Sequence, residues 1–415
     1  MCRRAVTVAV GMVLTFVLGG AVSGWQSVSP DEVVRTLIGR LDLERYKATI
    51  KGLTQFGDRR QGTKRNRDAV DWIEAWLQQV GCPTERVIYN FEARPRRDRE
   101  GRASPSSSLN PTDGTSTGGR IGRNGSGPGG SSIFGYRRRT GVVRDPMAQP
   151  DEALRTLNSE EPSSGSRSEV FCTKIGTTNP DEMYIIGAHM DGHGFGQAAN
   201  DDGSGTAIVM ELARIFSDPS VRTNQSIRFA LWNNEETGLN GSSAYVSQRR
   251  ERQGLESSPG SGRYPEPRWL GMIQHDMMLF DHGAPGPDGR VSRDQRAEAD
   301  VNIEFQERSD LAAESRELAF FFKAANDAFA TDYPAMVGPH MTNTDSTPFM
   351  NITPSISLRE NERGMHIGAG WDPHWHQPTD VYATFTDDDF RLGLNAAQTT
   401  LAAIAQLVNA TVSER

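Results

Sequence analysis

Two acidic motifs in the middle of the chain carry residue types that bind metals. An apolar run ends in His189, with Asp191 two residues later, and residues 200–205 then read Asn-Asp-Asp-Gly-Ser-Gly. A second apolar run ends shortly before the pair Glu235-Glu236. Imidazole and carboxylate groups are zinc ligands in hydrolytic sites. The pattern therefore predicts a metal-dependent hydrolase.

Asp276 and His376 complete a set of candidate ligands that suits two metal ions. One carboxylate can bridge two ions, which lie ~3.5–4 Å apart in two-metal sites. We assign Asp201 to the bridge. His189 and Asp276 then bind one zinc ion, and Glu236 and His376 bind the other. The predicted cofactor is therefore a pair of zinc ions.

This ligand set leaves Glu235 free to act as a general base. In that role it accepts a proton as water, activated by the two metals, attacks a carbonyl, and it passes the proton to the leaving nitrogen. Adjacent residues of a regular strand face opposite ways, so a turn must separate Glu235 from Glu236. Asp191 is placed to accept the other N–H of His189 and to orient that ring.

The elements that position these residues alternate between strands and helices after residue 168. Such alternation predicts an α/β fold, with a mostly parallel central sheet flanked by helices on both faces. Ligands bind such sheets beyond the carboxyl ends of the strands, where His189, Glu235, Glu236 and Asp276 fall. The predicted strands cover residues 169–173, 183–188, 226–232, 269–274 and 355–358, and the predicted helices 205–216, 241–250, 315–330 and 386–409.

The N-terminus has the composition of an export signal. Arg3 and Arg4 precede an apolar run over residues 5–22, and small residues stand where a signal peptidase cleaves. We predict a signal peptide over residues 1–23 and an exported protein, periplasmic or extracellular. The run also approaches the length of a membrane span. An uncleaved anchor is therefore the alternative, and only that case predicts contact with a membrane.

Residues 94–139 interrupt the single domain predicted over residues 30–411. This segment is rich in Ser, Gly, Pro and Arg, with too little apolar surface to offset its ordering entropy, which predicts a flexible or disordered insertion. The net charge of −8 argues against a nucleic-acid-binding protein. Cys82 and Cys172 either pair in an oxidising compartment or remain two buried thiols.

The same motifs occur, in the same order, in one known family. The chain resembles the exported co-catalytic zinc aminopeptidases of the bacterial leucyl aminopeptidase type over residues 30–93 and 168–410. The resemblance implies a zinc-peptidase, phosphorylase/hydrolase-like fold, the ligands and base assigned above, a cis peptide bond after Asp201, and removal of N-terminal residues from peptides. The motifs that carry it are His189-Met-Asp191, residues 200–205, Glu235-Glu236, Asp276-Met277 and Trp375-His376-Gln-Pro-Thr-Asp380.

Two positions depart from that family. Trp375 stands where many relatives have a tyrosine that steadies the oxyanion, and an indole N–H donates one hydrogen bond but cannot ionise. Asp345 matches an acid that relatives follow with histidine, and we expect it near the site without binding metal. His374 is the serious rival of His376, two residues away, and the Trp375-His376-Gln-Pro-Thr-Asp380 motif favours His376. The other rivals are expected at the surface or in structural hydrogen bonds, with His275 facing away from Asp276. They are His193, His275, His340 and His366.

Three alternatives stay open for the function. A glutaminyl-cyclase-like acyltransferase has the same fold and similar ligands but uses one zinc ion. A non-catalytic binding module on the same fold typically loses ligands, and none is missing here. A carboxypeptidase of the wider superfamily needs an extra lid domain, and the predicted core elements between Asp276 and His376 leave little room for one. The intact motif at residues 200–205 favours the peptidase over the cyclase.

Overall fold

The structure is a computed structural model that describes residues 29–92, 142–280, 301–339, 344–360 and 372–413. The predicted signal segment at 1–23 and the predicted insertion at 94–139 lie outside the described residues, as do His340 and His366. None of the described helices is both long enough and apolar enough to cross a membrane.

Helices and strands alternate through the second half of the chain, as predicted. The helices of the described residues are α1 (Pro30–Ile38), α2 (Leu43–Thr54), α3 (Lys64–Gln79), α4 (Glu152–Leu157), α5 (Gly203–Ser217), α6 (Asn240–Arg249), α7 (Ala312–Phe329) and α8 (Asp387–Leu407). The strands are β1 (Thr84–Phe91), β2 (Gly165–Lys174), β3 (Asn179–His189), β4 (Val221–Arg222), β5 (Gln225–Trp232), β6 (Arg268–His275), β7 (Val301–Phe305), β8 (Ala335–Gly338), β9 (Ser355–Arg359) and β10 (Thr411–Val412).

One sheet forms the centre of the molecule. Within the described ranges it has 8 strands in the order β1-β2-β5-β3-β6-β9-β7-β8. The neighbours β5, β3, β6 and β9 are parallel to one another, while β1, β2 and β7 introduce antiparallel pairings toward the edges. The carboxyl ends of the central strands therefore meet at one edge, where the predicted ligands fall.

Helices cover both faces of this sheet, which confirms the predicted fold class. Successive strand residues point to opposite faces, so Ile186 packs in the larger core with Leu212 of α5, while Ile185 packs in a second core. In that second core Trp232 of β5 contacts Tyr245 of α6, with ring centroids 5.2 Å apart. Burying one such side chain contributes about 1.5–3 kcal/mol.

A disulfide joins the start of the sheet to its second strand. Cys82, just before β1, bonds to Cys172 of β2, so the open question about these thiols resolves in favour of pairing. All the predicted strands and helices are present, with ends shifted by a few residues. After residue 168 the prediction missed β4, β7, β8 and β10, each of 5 residues or fewer.

Candidate metal centre

The predicted ligands meet at the carboxyl edge of the parallel strands. His189 is the last residue of β3, Asp276 directly follows β6, and Glu236 comes shortly after β5. Asp201 precedes α5, and His376 lies in the segment before α8. The parallel pairing thus gathers side chains from distant parts of the sequence.

Asp201 lies between two histidines and directs one carboxylate oxygen to each. Its Oδ1 is 3.2 Å from Nε2 of His189, and its Oδ2 is 3.0 Å from Nε2 of His376. Oδ1 of Asp276 lies 3.8 Å from the same atom of His189. Oε2 of Glu236 lies 2.9 Å from Nε2 of His376. The structure therefore places all the predicted ligands in two groups that Asp201 joins.

His193 belongs to the second of these groups. Its Nε2 is 3.1 Å from Oε2 of Glu236 and 3.2 Å from Nδ1 of His376. The two imidazole rings are nearly perpendicular, with centroids 4.2 Å apart. This is not the surface or structural position that the sequence predicted for His193. The sequence did carry one signal, because a glycine stands on each side of this histidine.

Hydrogen bonds fix the segment that carries Asp201. The peptide bond from Asp201 to Asp202 is cis, as the resemblance implied. The Asp202 carboxylate accepts the backbone N–H groups of His189 and Met277 at 3.1 and 3.2 Å. Asp380 accepts the N–H of Asp201 at 3.2 Å. Asp202 therefore ties the ends of β3 and β6 to the start of α5.

Two buried acids that the sequence analysis missed support the same segment. Nδ2 of Asn200 donates to Glu360 and to Asp372, each at 2.9 Å. Glu360 also accepts the backbone N–H groups of Leu279 and Phe280 at 2.9 and 2.6 Å. Burial, reinforced by Asp372, raises the pKa of Glu360 well above its usual range. Glu360 and Asp372 follow no motif, so only the folded chain identifies them.

A turn follows β5 at the position of Glu235 and Glu236. Asn234 has a φ of 67°, which ends the alternation of the strand. The backbone N–H of Glu235 donates to Oδ1 of Asp191 at 3.0 Å. Nδ1 of His189 contacts the backbone carbonyl of Asp191 at 2.9 Å, whereas Oδ1 of Asp191 is 4.0 Å away. Asp191 therefore orients His189 as predicted, but through its backbone carbonyl, while its carboxylate positions Glu235.

Asn233 anchors the start of that turn to neighbouring elements. Its side-chain amide and that of Asn66, on α3, exchange two hydrogen bonds of 3.0 Å. Its Nδ2 also donates to the carbonyl of Ser168 at 2.8 Å, and its own carbonyl accepts the hydroxyl of Tyr89 at 2.9 Å. The position of Glu235 is thus set by α3, β1 and β2.

Burial favours the neutral form of each ionisable group in this site. At the proposed ligands, close pairing between carboxylates and imidazoles outweighs burial and favours the charged forms. His193 and His376 lower the pKa of Glu236 to about 2. Glu236 and Asp201 in turn raise the pKa of His376 to about 9. At Glu235 burial prevails over His189 and, with Glu236, raises the pKa well above its usual range. Carboxylates paired with imidazoles exchange such protons for a metal ion.

The donor set fits a divalent cation. Oε1 of Glu236 is buried and has no hydrogen-bond partner within the described part of the chain. Asp201 and Asp276 are also buried beside it, and buried carboxylates require a compensating charge. The guanidinium of Arg359 pairs with the outer oxygen of Asp276, which leaves the inner oxygen toward His189. Mixed nitrogen and oxygen ligands suit zinc.

Trp375 packs against a predicted ligand. Its ring stacks on His376, with centroids 3.7 Å apart and planes 23° apart. Trp375 is buried with Met277 and Val142. The stacking restricts the orientation of the His376 imidazole. Trp375 has this role through its aromatic ring and needs no ionisable hydroxyl for it.

The other candidate histidines lie away from the ligands. His275 faces the opposite side of β6, where Nε2 is 2.8 Å from Oγ1 of Thr400, and burial lowers its pKa to about 4. His374 contacts Oγ1 of Thr379 at 2.8 Å. Asp345 accepts a hydrogen bond from Ser242. The hydrogen bond of His275 is the structural one expected for that histidine.

Comparisons with known proteins point to one family. The model of Peptidase family M28 matches residues 171–397. Aminopeptidase YwaD of Bacillus subtilis is 43% identical over 75 residues, which are 18% of this chain and 16% of that protein. The chain spans less than a third of the length of the first curated relatives that it matches.

Solved structures share the fold at low identity. A zinc aminopeptidase from Bacillus subtilis has a TM-score of 0.55 and 17% identity, covering 88% of this chain and 95% of that one. Porphyromonas gingivalis glutaminyl cyclase has a TM-score of 0.51 and 14% identity, covering 89% and 99%. These structures show the α/β fold and do not by themselves distinguish the two chemistries.

Proposed function

Because the chain belongs to Peptidase family M28, we propose that it is an exported, zinc-dependent aminopeptidase that removes residues from the free amino end of peptides. The position of Asp201 carries this proposal, because its two oxygens face His189 and His376 separately. A carboxylate placed in this way suits a bridge between two ions. The curated relative YwaD is itself named an aminopeptidase.

The proposed site uses two zinc ions. His189, Asp201 and Asp276 would hold one, and Asp201, Glu236 and His376 would hold the other. When bound, the ions supply the positive charge that polarises a scissile carbonyl and acidifies water. The two groups share Asp201, so both ions would lie beside the same bound substrate.

Glu235 is the proposed proton carrier. Its backbone N–H donates to Asp191, and the positive φ of Asn234 ends the alternation of the strand just before it. Glu235 takes the proton of the attacking water and returns it to the departing nitrogen. Asp191 therefore has two roles: its carboxylate positions Glu235, and its carbonyl orients His189.

Replacing Glu235 with glutamine tests this mechanism. Glutamine keeps the size of the side chain but cannot accept the proton, so we expect kcat on aminoacyl reporter amides to fall by ~10²–10⁴-fold. Bound zinc, measured by elemental analysis, should stay at the wild-type level. The matched variant Glu236→Gln should lose zinc, because it replaces a proposed ligand.

Controls separate the aminopeptidase from the alternatives. A peptide with a blocked amino end should not be cleaved, and a chelator should abolish hydrolysis. Full hydrolytic activity in Glu235→Gln would refute the base assignment. Cyclisation of N-terminal glutamine by a fully active protein with one zinc ion per chain would favour the cyclase instead.

Export is supported by the predicted signal at residues 1–23 and by the disulfide between Cys82 and Cys172. Disulfides persist mainly in oxidising compartments outside the cytoplasm. The mass of the protein recovered from the exported fraction tests this proposal. A mass that lacks about 23 residues supports cleavage, whereas the full mass in the membrane fraction would indicate an anchor.

A further inference from the structure

His193 lies close enough to the second ligand group to share its metal ion. A single oxygen, Oε2 of Glu236, has Nε2 of His376 at 2.9 Å and Nε2 of His193 at 3.1 Å. Two ligands of one zinc ion, each bonded at 2.0–2.2 Å in a tetrahedron, lie roughly 3.3–3.5 Å apart. The observed separations are within a few tenths of an ångström of that spacing.

The flanking glycines hold His193 in this place. A Cβ on Gly192 would lie 2.8 Å from the carbonyl oxygen of Asp201. A Cβ on Gly194, whose φ is +98°, would lie 2.8 Å from the backbone nitrogen of Gln377 and closer still to the backbone of His376. The segment around His193 therefore packs directly on the chain that carries two proposed ligands, and side chains at either glycine would push it away.

A hydrogen-bonding role for His193 is the alternative. With the proton on Nε2, His193 would donate to Oε2 of Glu236 at 3.1 Å. With the proton on Nδ1, its Nε2 would accept the N–H of His376 Nδ1 at 3.2 Å. A cation would take the place of either bond, because Nε2 of His193 and Oε2 of Glu236 would then both donate electron pairs to it.

The first ligand group, formed by His189, Asp201 and Asp276, is expected to bind a metal ion less tightly than the second. The outer oxygen of Asp276 is paired with the buried guanidinium of Arg359. That positive charge draws electron density from the carboxylate and repels a cation beside it. Within the described residues no additional imidazole joins His189, Asp201 and Asp276.

We propose that His193 is a further zinc ligand, so that His193, Glu236, His376 and Asp201 hold one ion more tightly than His189, Asp201 and Asp276 hold the other. This inference rests on the proposed function, because it assigns a residue to the same metal site. Four protein ligands close a tetrahedral site, whereas three leave a position open for water or substrate. The ion next to His189 is then the one that keeps an open position.

Metal binding to the purified full-length protein tests this inference. The protein is stripped of metal and titrated with Zn²⁺ in competition with a chromophoric chelator, which resolves a tighter and a weaker site. We expect His193→Ala and His193→Gln each to weaken the tighter site at least tenfold and to leave the weaker site within twofold. His374→Ala is the matched control, and both of its affinities should equal those of the wild type.

The glutamine variant separates the two roles of His193, because its amide can donate to Glu236 or accept the N–H of His376 but is a poor zinc ligand. Wild-type affinity in His193→Gln would overturn the proposal. A second measurement needs no variant: the first equivalent of Co²⁺ should show the intense visible absorption of a four-coordinate site. Weak, six-coordinate absorption would overturn it as well.

The outcomes distinguish this inference from the proposed function. A wild-type protein that binds two zinc ions while both His193 variants bind them equally well refutes only the role of His193. A wild-type protein that binds no zinc refutes the proposed function, and the present inference with it.

Discussion

Replacing Gly205 with alanine should destabilise the protein, although alanine is the better helix former. Gly205 lies in the first turn of α5, where its N–H donates to Oδ1 of Asp202 at 2.9 Å. A Cβ at this position would lie 2.5 and 2.7 Å from the two Asp202 oxygens and 2.8 Å from the carbonyl oxygen of His275. Ordinary contacts begin near 3.4 Å, so Asp202 would have to retreat by about 1 Å.

The cost of that retreat can be estimated. Overpacking a filled interior costs ~1–3 kcal/mol, and weakening one of the hydrogen bonds to Asp202 costs ~1 kcal/mol. The higher helix propensity of alanine offsets at most ~1 kcal/mol of this loss. We therefore expect the free energy of unfolding to fall by ~1–3 kcal/mol. Zinc affinity should fall as well, because Asp202 holds the backbone of His189.

Urea unfolding of the metal-free protein measures the stability term. The matched control is Gly39→Ala: Gly39 has a φ of −61°, and a Cβ there would meet its neighbours at 3.5 and 3.6 Å, in ordinary contact. That variant should be as stable as the wild type or slightly more so. The reasoning is refuted if Gly205→Ala unfolds at the wild-type urea concentration.

Two further predictions concern positions away from the ligands. The disulfide closes a loop with a sequence separation of 90 residues. The double variant Cys82→Ala/Cys172→Ala should therefore lose about 4 kcal/mol of unfolding free energy, measured in urea. An unchanged unfolding midpoint would contradict this. Arg59 is fully buried and donates to the carbonyls of Met190, Gln197 and Ala198 at 2.7, 2.8 and 2.7 Å. Because lysine lacks the planar fork, Arg59→Lys should lose ~2–4 kcal/mol by thermal or urea unfolding, and a loss below ~0.5 kcal/mol would show that these bonds contribute little.

Local patterns were enough to predict the fold class. The apolar runs before His189 and Glu235 are buried strands of a parallel sheet, and helices lie on both faces. Parallel strands buried on both faces need near-continuous apolar residues, so they can be recognised in the sequence as apolar runs. The strands β4, β7, β8 and β10 have 5 residues or fewer, too few to establish an alternating pattern, so they were missed.

The histidines show which site residues local patterns can predict and which they cannot. His376 was predicted from its motif, and the structure places it among the other proposed ligands. His193 has no comparable motif, and its contact with Glu236 spans 43 positions of the sequence. Only the packing of its glycine-flanked segment on the backbone of His376 reveals it.

The sequence by itself determined the order of strands and helices and the residue types at the strand ends, because both depend on periodicity and on short motifs. Only the tertiary structure decided which atoms face one another: the carbonyl of Asp191 toward His189, Arg359 against Asp276, and Glu360 behind Asn200. Such contacts join residues from separate strands and loops, and their geometry depends on how the whole chain packs, which no local pattern encodes.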